Sequence, residues 1–519
     1  MQSDICFTVN TNKNRKESRM KIDPTIVTFA LYLILMLGIG AIFCKKIKTT
    51  TEYFLGGRGL GSWVTALSAQ ASDMSGWLLM GLPGAIYMAG LGDSWVAIGL
   101  GIGTILNWIL IAPRLRIYTE KADALTLSSF FAIRFREKTN LIRLISSIVI
   151  LIFFTIYAAS ALVAAGKLFN NIFSMNYKHA VLLGATVVLL YTLLGGYLAV
   201  CWTDLVQGML MFIALVAVPI AAYMNLGSAP GTIMGDAGSQ IFSLMPKADN
   251  GWLSLMAIVS CAVWGLGYCG QPHILTRFMS IKSFRLLPRS TTIATIWVVI
   301  SLAAAVVIGL LARAFFLGLN AGNSENVFIY LIQKHFNPWF GGIFLAAILA
   351  AIMSTIDSQL LVSSSALTED IYKRLFRKNA SIKEQVTVSR ISVLVITMIA
   401  TMLALLPNQT IFSIVKFAWG GFGAAFGPVV IMALYSRKTT WISALVGIVV
   451  GAGVMVTWYA LGLGKYMYEI LPGFIAGWLA IVIVNAFMPQ QNAVILKEYD
   501  DMLKELHSEK EINKEEAGK

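Results

Sequence analysis

Charged side chains are scarce in this sequence. Asp, Glu, Lys and Arg make up only 13% of the 519 residues, whereas a soluble protein carries about a quarter. Hydrophobic residues reach 57% and the mean hydropathy is +0.74. This composition excludes a soluble globular protein, because so few charges could not cover its surface.

Cysteine and histidine are also few. The five cysteines form no CxxC pair and have no metal-site spacing. We therefore expect neither a disulfide nor a metal cluster. An enzyme should show His, Asp or Glu clustered at metal or acid–base spacing, and no such cluster occurs among the few candidates. The sequence thus predicts a protein that is not an enzyme and needs no cofactor.

Long apolar runs take the place of these residues. Each run is about 20 residues long, enough to cross a hydrocarbon core of about 30 Å as a helix. The runs do not alternate as the strands of a membrane barrel would. We predict an all-α polytopic membrane protein with about thirteen transmembrane helices. The predicted spans lie near residues 24–44, 62–90, 94–117, 141–168, 179–200, 203–225, 253–276, 291–318, 326–366, 388–406, 411–436, 440–462 and 467–488. The ninth predicted span, 326–366, is too long for one crossing, and we assign its amphipathic start to an external loop helix.

Basic residues follow the odd-numbered spans. Clusters occur in residues 114–138, 277–289, 373–383 and 437–438, which the positive-inside rule places in the cytoplasm. The N-terminus is then outside and the C-terminus cytoplasmic. The net charge of +14 thereby indicates membrane orientation rather than a nucleic-acid partner.

The two ends of the chain differ from its apolar core. Residues 1–19 carry Lys13, Arg15, Lys16 and Arg19 on the side predicted to be external. Our hypothesis is that translation starts at Met20 and that 1–23 is an N-terminal segment outside the transmembrane domain, 24–490. The charged tail, 491–519, is predicted to be a solvated cytoplasmic helix.

Polar residues interrupt the second span. In "AQASDMSGWLLMG", residues 69–81, Asp73 lies among serines, alanines and a glycine. A charge inside the membrane is costly and usually functional. Asp204 and Asp357 are the other acids deep within predicted spans. Unwound backbone at membrane depth is tolerated where it lines a cavity, and it frees carbonyls to bind a cation.

A second interruption occurs five spans later. In "AVWGLGYCGQPHILTR", residues 262–277, three glycines precede Pro272, which has no N–H to donate. Two broken helices at corresponding positions are typical of an inverted-repeat secondary transporter. The ninth span adds Ser354 and Thr355, which with the Ala351 carbonyl offer three oxygens to one ion.

Several motifs carry a family resemblance that extends over about residues 24–490. They are "LGGRGLG" (55–61), "TALSAQASDMSGWLLMGLPGA" (65–85), "FFTIYAAS" (153–160), "GGYLAVCWTDLVQ" (195–207), "VWGLGYCGQPHI" (263–274), "ILAAIMSTIDSQLLV" (348–362) and "AWGGFGAAFGPVV" (418–430). With them the sequence resembles the sodium/solute symporter family, and within it the bacterial sodium/proline symporters.

The resemblance implies a fold and a function. The fold is a LeuT-like core of two inverted five-helix repeats, 62–225 and 253–436, with 24–44 and the last two helices, 440–488, outside it. The function is sodium-coupled uptake of L-proline across the bacterial cytoplasmic membrane by alternating access. The alternative is another small solute, such as pantothenate or a different amino acid. Expected partners are sodium, L-proline and the bilayer, with no obligatory protein partner.

The resemblance also implies site residues, which we give as expectations. The sodium ligands are the carbonyls of Ala71, Met74 and Ala351 and the hydroxyls of Ser354 and Thr355. The proline-binding residues are Ser75, Gly76, Trp77, Tyr157, Trp264, Tyr268 and Pro272. The coupling or gating residues are Asp73, Arg58 and Asp204. Aromatic faces suit the apolar ring and the ammonium of proline.

Overall fold

The computed structural model describes residues 23–44, 49–193, 196–227, 241–246, 251–406 and 410–517. Within these ranges the protein is all-helical, and strand pairing is limited to one isolated bridge between Leu60 and Ile281. Eleven helices of the described part are long and apolar enough to cross a membrane. The all-α membrane prediction is confirmed at that level. The hypothesis about Met20 concerns residues outside the described ranges.

The described residues form α-helices along the whole membrane domain and in the C-terminal tail. They are α1 (Pro24–Cys44), α2 (Thr50–Leu55), α3 (Ser62–Asp73), α4 (Leu82–Ala89), α5 (Trp95–Leu106), α6 (Ala112–Lys121), α7 (Leu127–Arg134), α8 (Leu141–Phe173), α9 (Tyr177–Thr192), α10 (Tyr197–Met224), α11 (Gly251–Ala262), α12 (Pro272–Ser280), α13 (Leu287–Phe315), α14 (Ala321–Ser324), α15 (Val327–His335), α16 (Pro338–Ser365), α17 (Ile382–Ala404), α18 (Ile411–Tyr435), α19 (Trp441–Ala460), α20 (Ile470–Phe487) and α21 (Ala493–Ala517). Wider π turns, Trp77–Gly81, Asn107–Ile111 and Ala366–Phe376, adjoin α4, α6 and α16.

The boundaries of two predicted regions can be compared with the helices of the structure. The spans expected at 179–200 and 203–225 are instead α9, which ends at Thr192, and α10, which begins at Tyr197 after an extended Gly196. The sequence there is apolar across the junction, so hydropathy alone could not locate it. The separate helix expected before Trp339 is confirmed as α15, because Asn337 caps a new helix that starts at Pro338.

Small residues let α5 pack directly against the second interrupted span. A Cβ added to Gly99 would lie 2.1 Å from the Ala262 carbonyl oxygen, and one added to Gly103 would lie 2.4 Å from that of Gly265. Backbones approach this closely only where side chains are absent. The segment after α11 is therefore held against α5 by main-chain contact.

The C-terminal helix α21 docks onto loop ends of the membrane domain. Its residues Ile495, Tyr499, Met502 and Leu506 are buried, at the three- and four-residue spacing of one helix face. Four acidic side chains of α21 form ion pairs with basic residues of the loops: Arg136–Glu498, Arg437–Asp500, Lys121–Glu505 and Arg285–Glu509. The predicted helix is confirmed, but the expectation that it is simply solvated is wrong.

Candidate sodium and substrate site

The first interruption releases a backbone carbonyl. Helix α3 ends at Asp73, and Met74 leaves the helical conformation at φ −82° and ψ 76°. The Ser75 amide then donates to the Asp73 carbonyl, at 3.0 Å. In a continuous helix that amide would donate four residues back, to Ala71. The Ala71 carbonyl is thereby available to other groups.

Four of the five predicted sodium ligands meet at that carbonyl. Ser354 donates its hydroxyl to the Ala71 oxygen at 2.8 Å, and Thr355 does so at 3.3 Å. The Ser354 Oγ also lies 3.2 Å from the Ala351 carbonyl. All four residues are fully buried. Two carbonyls and two hydroxyls thus converge between α3 and α16, and they offer the hard oxygen donors that a cation such as sodium requires.

Met74 lies in the same break but differs from the other four. Its amide donates to the Gln70 carbonyl at 2.8 Å, and the residue is fully buried. Among the described residues, neither Ser354 nor Thr355 donates a hydrogen bond to its carbonyl. The prediction that Met74 is a ligand stays a prediction.

Asp73 connects the two interrupted spans. Its Oδ2 accepts a hydrogen bond of 2.6 Å from the Tyr268 hydroxyl, and both residues are buried. Its Oδ1 has no hydrogen-bond partner within the described ranges. The carboxylate therefore faces the second break, while the oxygens of the candidate ion site come from its neighbours. The prediction that Asp73 is a coupling residue stays a prediction.

The second interruption has the expected form. Residues Val263–Gly270 make a tight 3₁₀ segment, Gln271 is extended, and α12 starts at Pro272. Pro272 has a fixed φ and no N–H, so it is suited to the first turn of a helix. Gly267 is required here, because a Cβ on it would lie 2.0 Å from the indole Nε1 of Trp419.

Aromatic side chains of both breaks form one cluster. The ring centroids of Trp77 and Trp264 are 6.4 Å apart, and Trp264 also contacts Phe412 and Tyr468 at 5.2 and 5.1 Å. Tyr268 packs edge-on against Trp419 at 5.1 Å. Sequence reasoning missed Phe412, Trp419 and Tyr468. The motif "AWGGFGAAFGPVV" was the available signal for Trp419.

The remaining predicted substrate residues line the same region. Tyr157 is fully buried, and its hydroxyl has no hydrogen-bond partner in the described part of the chain. Its ring lies edge-on to that of His273, 6.3 Å away. The Ser75 Oγ accepts from the Trp77 amide at 3.3 Å. Gly76 leaves no room for a side chain, since its Cβ would lie 2.7 Å from that of Ala164.

Asp204 belongs to a separate buried network. Its Oδ2 accepts from the Ser68 hydroxyl at 2.6 Å and pairs with Arg277 at 3.1 Å. Arg277 also donates to the Ser358 hydroxyl. The ion pair is fully buried. The prediction that Arg277 belongs to the cytoplasmic loop charges is wrong, because α12 extends to Ser280 and buries Arg277.

Arg58 clamps several loop ends together. Its guanidinium donates to the carbonyls of Met279, Thr119 and Ala124, each at 2.9 Å. Next to it, Leu60 pairs with the chain around Ile281. Burial, and then the nearby Arg116, lower the pKa of the Arg58 guanidinium. Three carbonyl partners make Arg58 more than an interfacial charge, because it joins the start of α3 to the end of α12.

Glu325 was not found from the sequence. Its carboxylate accepts from the amides of Ile411 and Phe412 at 3.1 and 3.0 Å, and it pairs with Lys167. It thus caps the start of α18, where the helix dipole favours an anion. Because Phe412 also contacts Trp264, this cap adjoins the aromatic cluster. The sequence placed Glu325 only in a predicted external loop and gave no indication of its contacts.

We expect the Glu325→Gln variant to lose about 1–3 kcal/mol of the free energy of unfolding. The change removes a buried charged acceptor while leaving Lys167 in place. Chemical unfolding of the purified protein in detergent measures this loss. Asp501→Asn is the matched control, because its pair with Lys504 is long and exposed, and such pairs contribute about 0–1 kcal/mol. Equal stability of both variants would contradict the prediction.

Comparison with known proteins assigns the chain to a family. The family model described as sodium:solute symporter family matches residues 53–451. The chain belongs to the sodium:solute symporter family. This symporter is 45% identical to the "Sodium/proline symporter" of Escherichia coli (strain K12), over 93% of this chain and 97% of that protein. It is also 45% identical to the "High-affinity proline transporter PutP" of Bacillus subtilis (strain 168), over 90% and 98%.

Solved structures confirm the fold class of the symporter. A Na+-coupled sialic acid symporter in its substrate-bound outward-open state has a TM-score of 0.77 at 19% identity, over 90% of this chain and 99% of that one. MhsT in complex with L-phenylalanine has a TM-score of 0.51 at 17% identity, over 81% and 97%. At these identities the likeness shows the fold alone, which is of the LeuT-like class. The family and the two relatives are transporters by their names.

Proposed function

We propose that this symporter couples the uptake of L-proline to the entry of sodium across the bacterial cytoplasmic membrane. The observation that carries the proposal is the convergence of Ala71, Ala351, Ser354 and Thr355 oxygens beside an aromatic-lined break. Relatives named as sodium/proline symporters are 43–47% identical over most of the chain. The oxygens support a sodium site, and the names of the relatives favour proline over pantothenate or another amino acid.

Sodium binds at the oxygens of Ala71, Ala351, Ser354 and Thr355. In the proposal the Met74 carbonyl supplies the fifth ligand, because Met74 is the first residue past α3 and its backbone has left the helix. When the ion binds, the two hydroxyls rotate so that they present lone pairs to it instead of donating to Ala71. Neutral oxygens suffice for one monovalent charge, and Asp73 remains a neighbour that couples the ion to the second break.

Proline binds at the two breaks. Unwound backbone near Ser75 and Gly76 recognises its carboxylate and ammonium groups, as free amides and carbonyls do in interrupted spans. Its ring lies against aromatic faces. The residues that we assign to this pocket are Ser75, Gly76, Trp77, Tyr157, Trp264, Tyr268 and Pro272. The buried Tyr157 hydroxyl is one hydrogen-bonding group that the pocket can offer.

Transport follows by alternating access. Sodium tightens the contact of α3 with α16, and the Asp73–Tyr268 hydrogen bond transmits this to the segment before Pro272. The Arg277–Asp204 pair and the Arg58 clamp hold the opposite side closed until both ligands are bound. The membrane potential contributes about 2.3 kcal/mol per charge per 100 mV.

The topology is also proposed. Joining α3 to α4, and α11 to α12, as two interrupted crossings and counting the short α9 gives thirteen spans, with inverted repeats at 62–225 and 253–436. The N-terminus is outside and the C-terminal tail, 491–519, is cytoplasmic. The contacts of α21 with Lys121, Arg136, Arg285 and Arg437 support this, because they gather the basic loops on one side.

Uptake of labelled proline into proteoliposomes tests the function. We expect accumulation with an inward sodium gradient and none with potassium in its place, because the ion site must be filled before proline is held. Excess unlabelled proline should compete, and pantothenate should not. Uptake that ignores sodium would defeat the coupling, and competition by pantothenate alone would support the alternative solute.

A further inference from the structure

An apolar groove runs along the outside of α5. It has a volume of about 590 Å³ and is lined on one side by residues from Trp95 to Ile111, on the other by residues from Val259 to Cys269, and at its far end by Ile431 and Tyr435. Ile102 and Leu106, in its wall, are about half exposed. Because these helices are membrane spans, their exposed apolar faces meet hydrocarbon, and the groove opens to the bilayer.

The back of the groove is the second interrupted span. Gly99 and Gly103 bring α5 into backbone contact with Ala262 and Gly265, so main chain as well as side chains lines this part of the groove. Asn107, also in the groove wall, donates its amide to the Tyr268 carbonyl at 3.3 Å. A molecule in the groove would therefore touch the segment that carries Trp264 and Tyr268.

One end of the groove is basic. The guanidinium of Arg114 lies 3.9 Å above the ring of Tyr435, and its Nη1 donates to the Leu434 carbonyl at 3.0 Å. No partner for its Nη2 occurs within the described ranges. Along a helix, the path from Trp95 to Arg114 covers about 28 Å, close to the hydrocarbon thickness of about 30 Å. Arg114 thus lies at the membrane surface opposite Trp95.

We propose that this groove binds a phospholipid of the surrounding bilayer that has an anionic headgroup. One acyl chain fills the groove, since water there would find almost no polar partner. The phosphate pairs with the charged guanidinium of Arg114, because hydrogen bonds between ionised groups are the strong ones. Basic pockets between spans on the cytoplasmic side bind anionic headgroups in this way. The lipid is a ligand of the broken segment, and its presence biases how that segment rearranges.

Lipid retention tests the site without relying on transport. The full chain is purified from membranes that contain phosphatidylglycerol and phosphatidylcholine, and native mass spectrometry counts the lipid that stays bound. We expect Arg114→Gln to retain phosphatidylglycerol about fivefold less than the parent protein, from the loss of one surface cation. Arg114→Lys should keep it, and Leu106→Trp, which fills the groove, should expel it.

Two control variants make the result decisive. Arg289→Gln removes another exposed basic residue, and Ile399→Trp enlarges another lipid-facing side chain; neither should change retention. Unchanged retention in both Arg114→Gln and Leu106→Trp would overturn the proposal, as would equal losses in the controls. The effect of the lipid on transport rests on the proposed function and is measured separately, as proline uptake with and without phosphatidylglycerol. Failure of uptake in every lipid would contradict the function and leave the binding result standing.

Discussion

Replacing Ser354 and Thr355 together with alanine should abolish the proline uptake that a sodium gradient drives. Both hydroxyls lie within 3.3 Å of the Ala71 carbonyl, so the double variant deletes two of the converging oxygens. A hydrogen bond or ligand contact to a charged group contributes about 1.5–3 kcal/mol. Each single variant should therefore weaken the apparent sodium affinity by about tenfold or more, and the double variant by more than about a hundredfold.

Sodium binding can be measured apart from transport. A ligand that binds only the folded state raises the unfolding temperature with its concentration. We expect sodium to raise that temperature for the parent protein and to have almost no effect on the double variant. Thr355→Ser keeps a hydroxyl and should respond as the parent does. A double variant that is still stabilised by sodium would show that the ion binds elsewhere.

Ser365→Ala is the matched control on the same helix. Its hydroxyl donates to the Val362 carbonyl at 2.8 Å, one turn earlier, as serines inside helices often do. It lies ten residues beyond Thr355, and within the described part of the chain its hydroxyl makes no hydrogen bond to α3. Its removal should leave both uptake and the sodium response unchanged.

Residue chemistry predicted the local parts of the site. The small residues around Asp73 indicated a break, and the glycines before Pro272 indicated another; both occur. The adjacent hydroxyls of Ser354 and Thr355 indicated a partner element for the first break. Each signal was visible because a polar or helix-breaking residue within an apolar run is costly unless it has a function.

Contacts between residues far apart in the chain could not be predicted from the sequence. Nothing in the sequence around Glu325 shows that its carboxylate caps a helix that begins at Ile411. Arg277 reads as a loop charge because only the fold carries α12 far enough to bury it. Likewise, α21 has an ordinary charged composition, and its docked face appears only when the loops that receive it are in place. These contacts depend on which elements become neighbours, and local pattern does not determine this.

The buried pair of Arg277 and Asp204 should be the most sensitive point of the fold. Both side chains are fully buried and lie 3.1 Å apart. Removing one partner of a buried pair leaves an uncompensated charge, which costs about 3–5 kcal/mol. We expect Arg277→Gln to lose this much of the free energy of unfolding in detergent and to abolish uptake. Asp204→Asn should be similarly destabilised.

The double variant separates the pair from its members. Arg277→Gln combined with Asp204→Asn leaves no unpaired charge, so its loss of stability should be smaller than the sum of the two single losses. Arg377→Gln is the control, because its pair with Glu384 is largely exposed and exposed pairs contribute about 0–1 kcal/mol. If Arg277→Gln were no less stable than Arg377→Gln, breaking the Arg277–Asp204 pair would not have the cost expected of a buried ion pair.

In the double variant of Arg277 and Asp204, we expect stability to recover more than transport does. Ser68, Asp204, Arg277 and Ser358 lie on four different helices, α3, α10, α12 and α16, and the guanidinium contacts the side chains of the other three. In the proposed alternating-access cycle, any opening on this side must separate these helices, so we expect the network to hold that side closed as well as to stabilise the fold. Neutral replacements restore folding, but they do not restore the charge attraction that holds the four helices together. We therefore expect the folded double variant to bind sodium, shown by thermal stabilisation, yet to accumulate little proline. Full uptake in that variant would reduce the pair to a structural role.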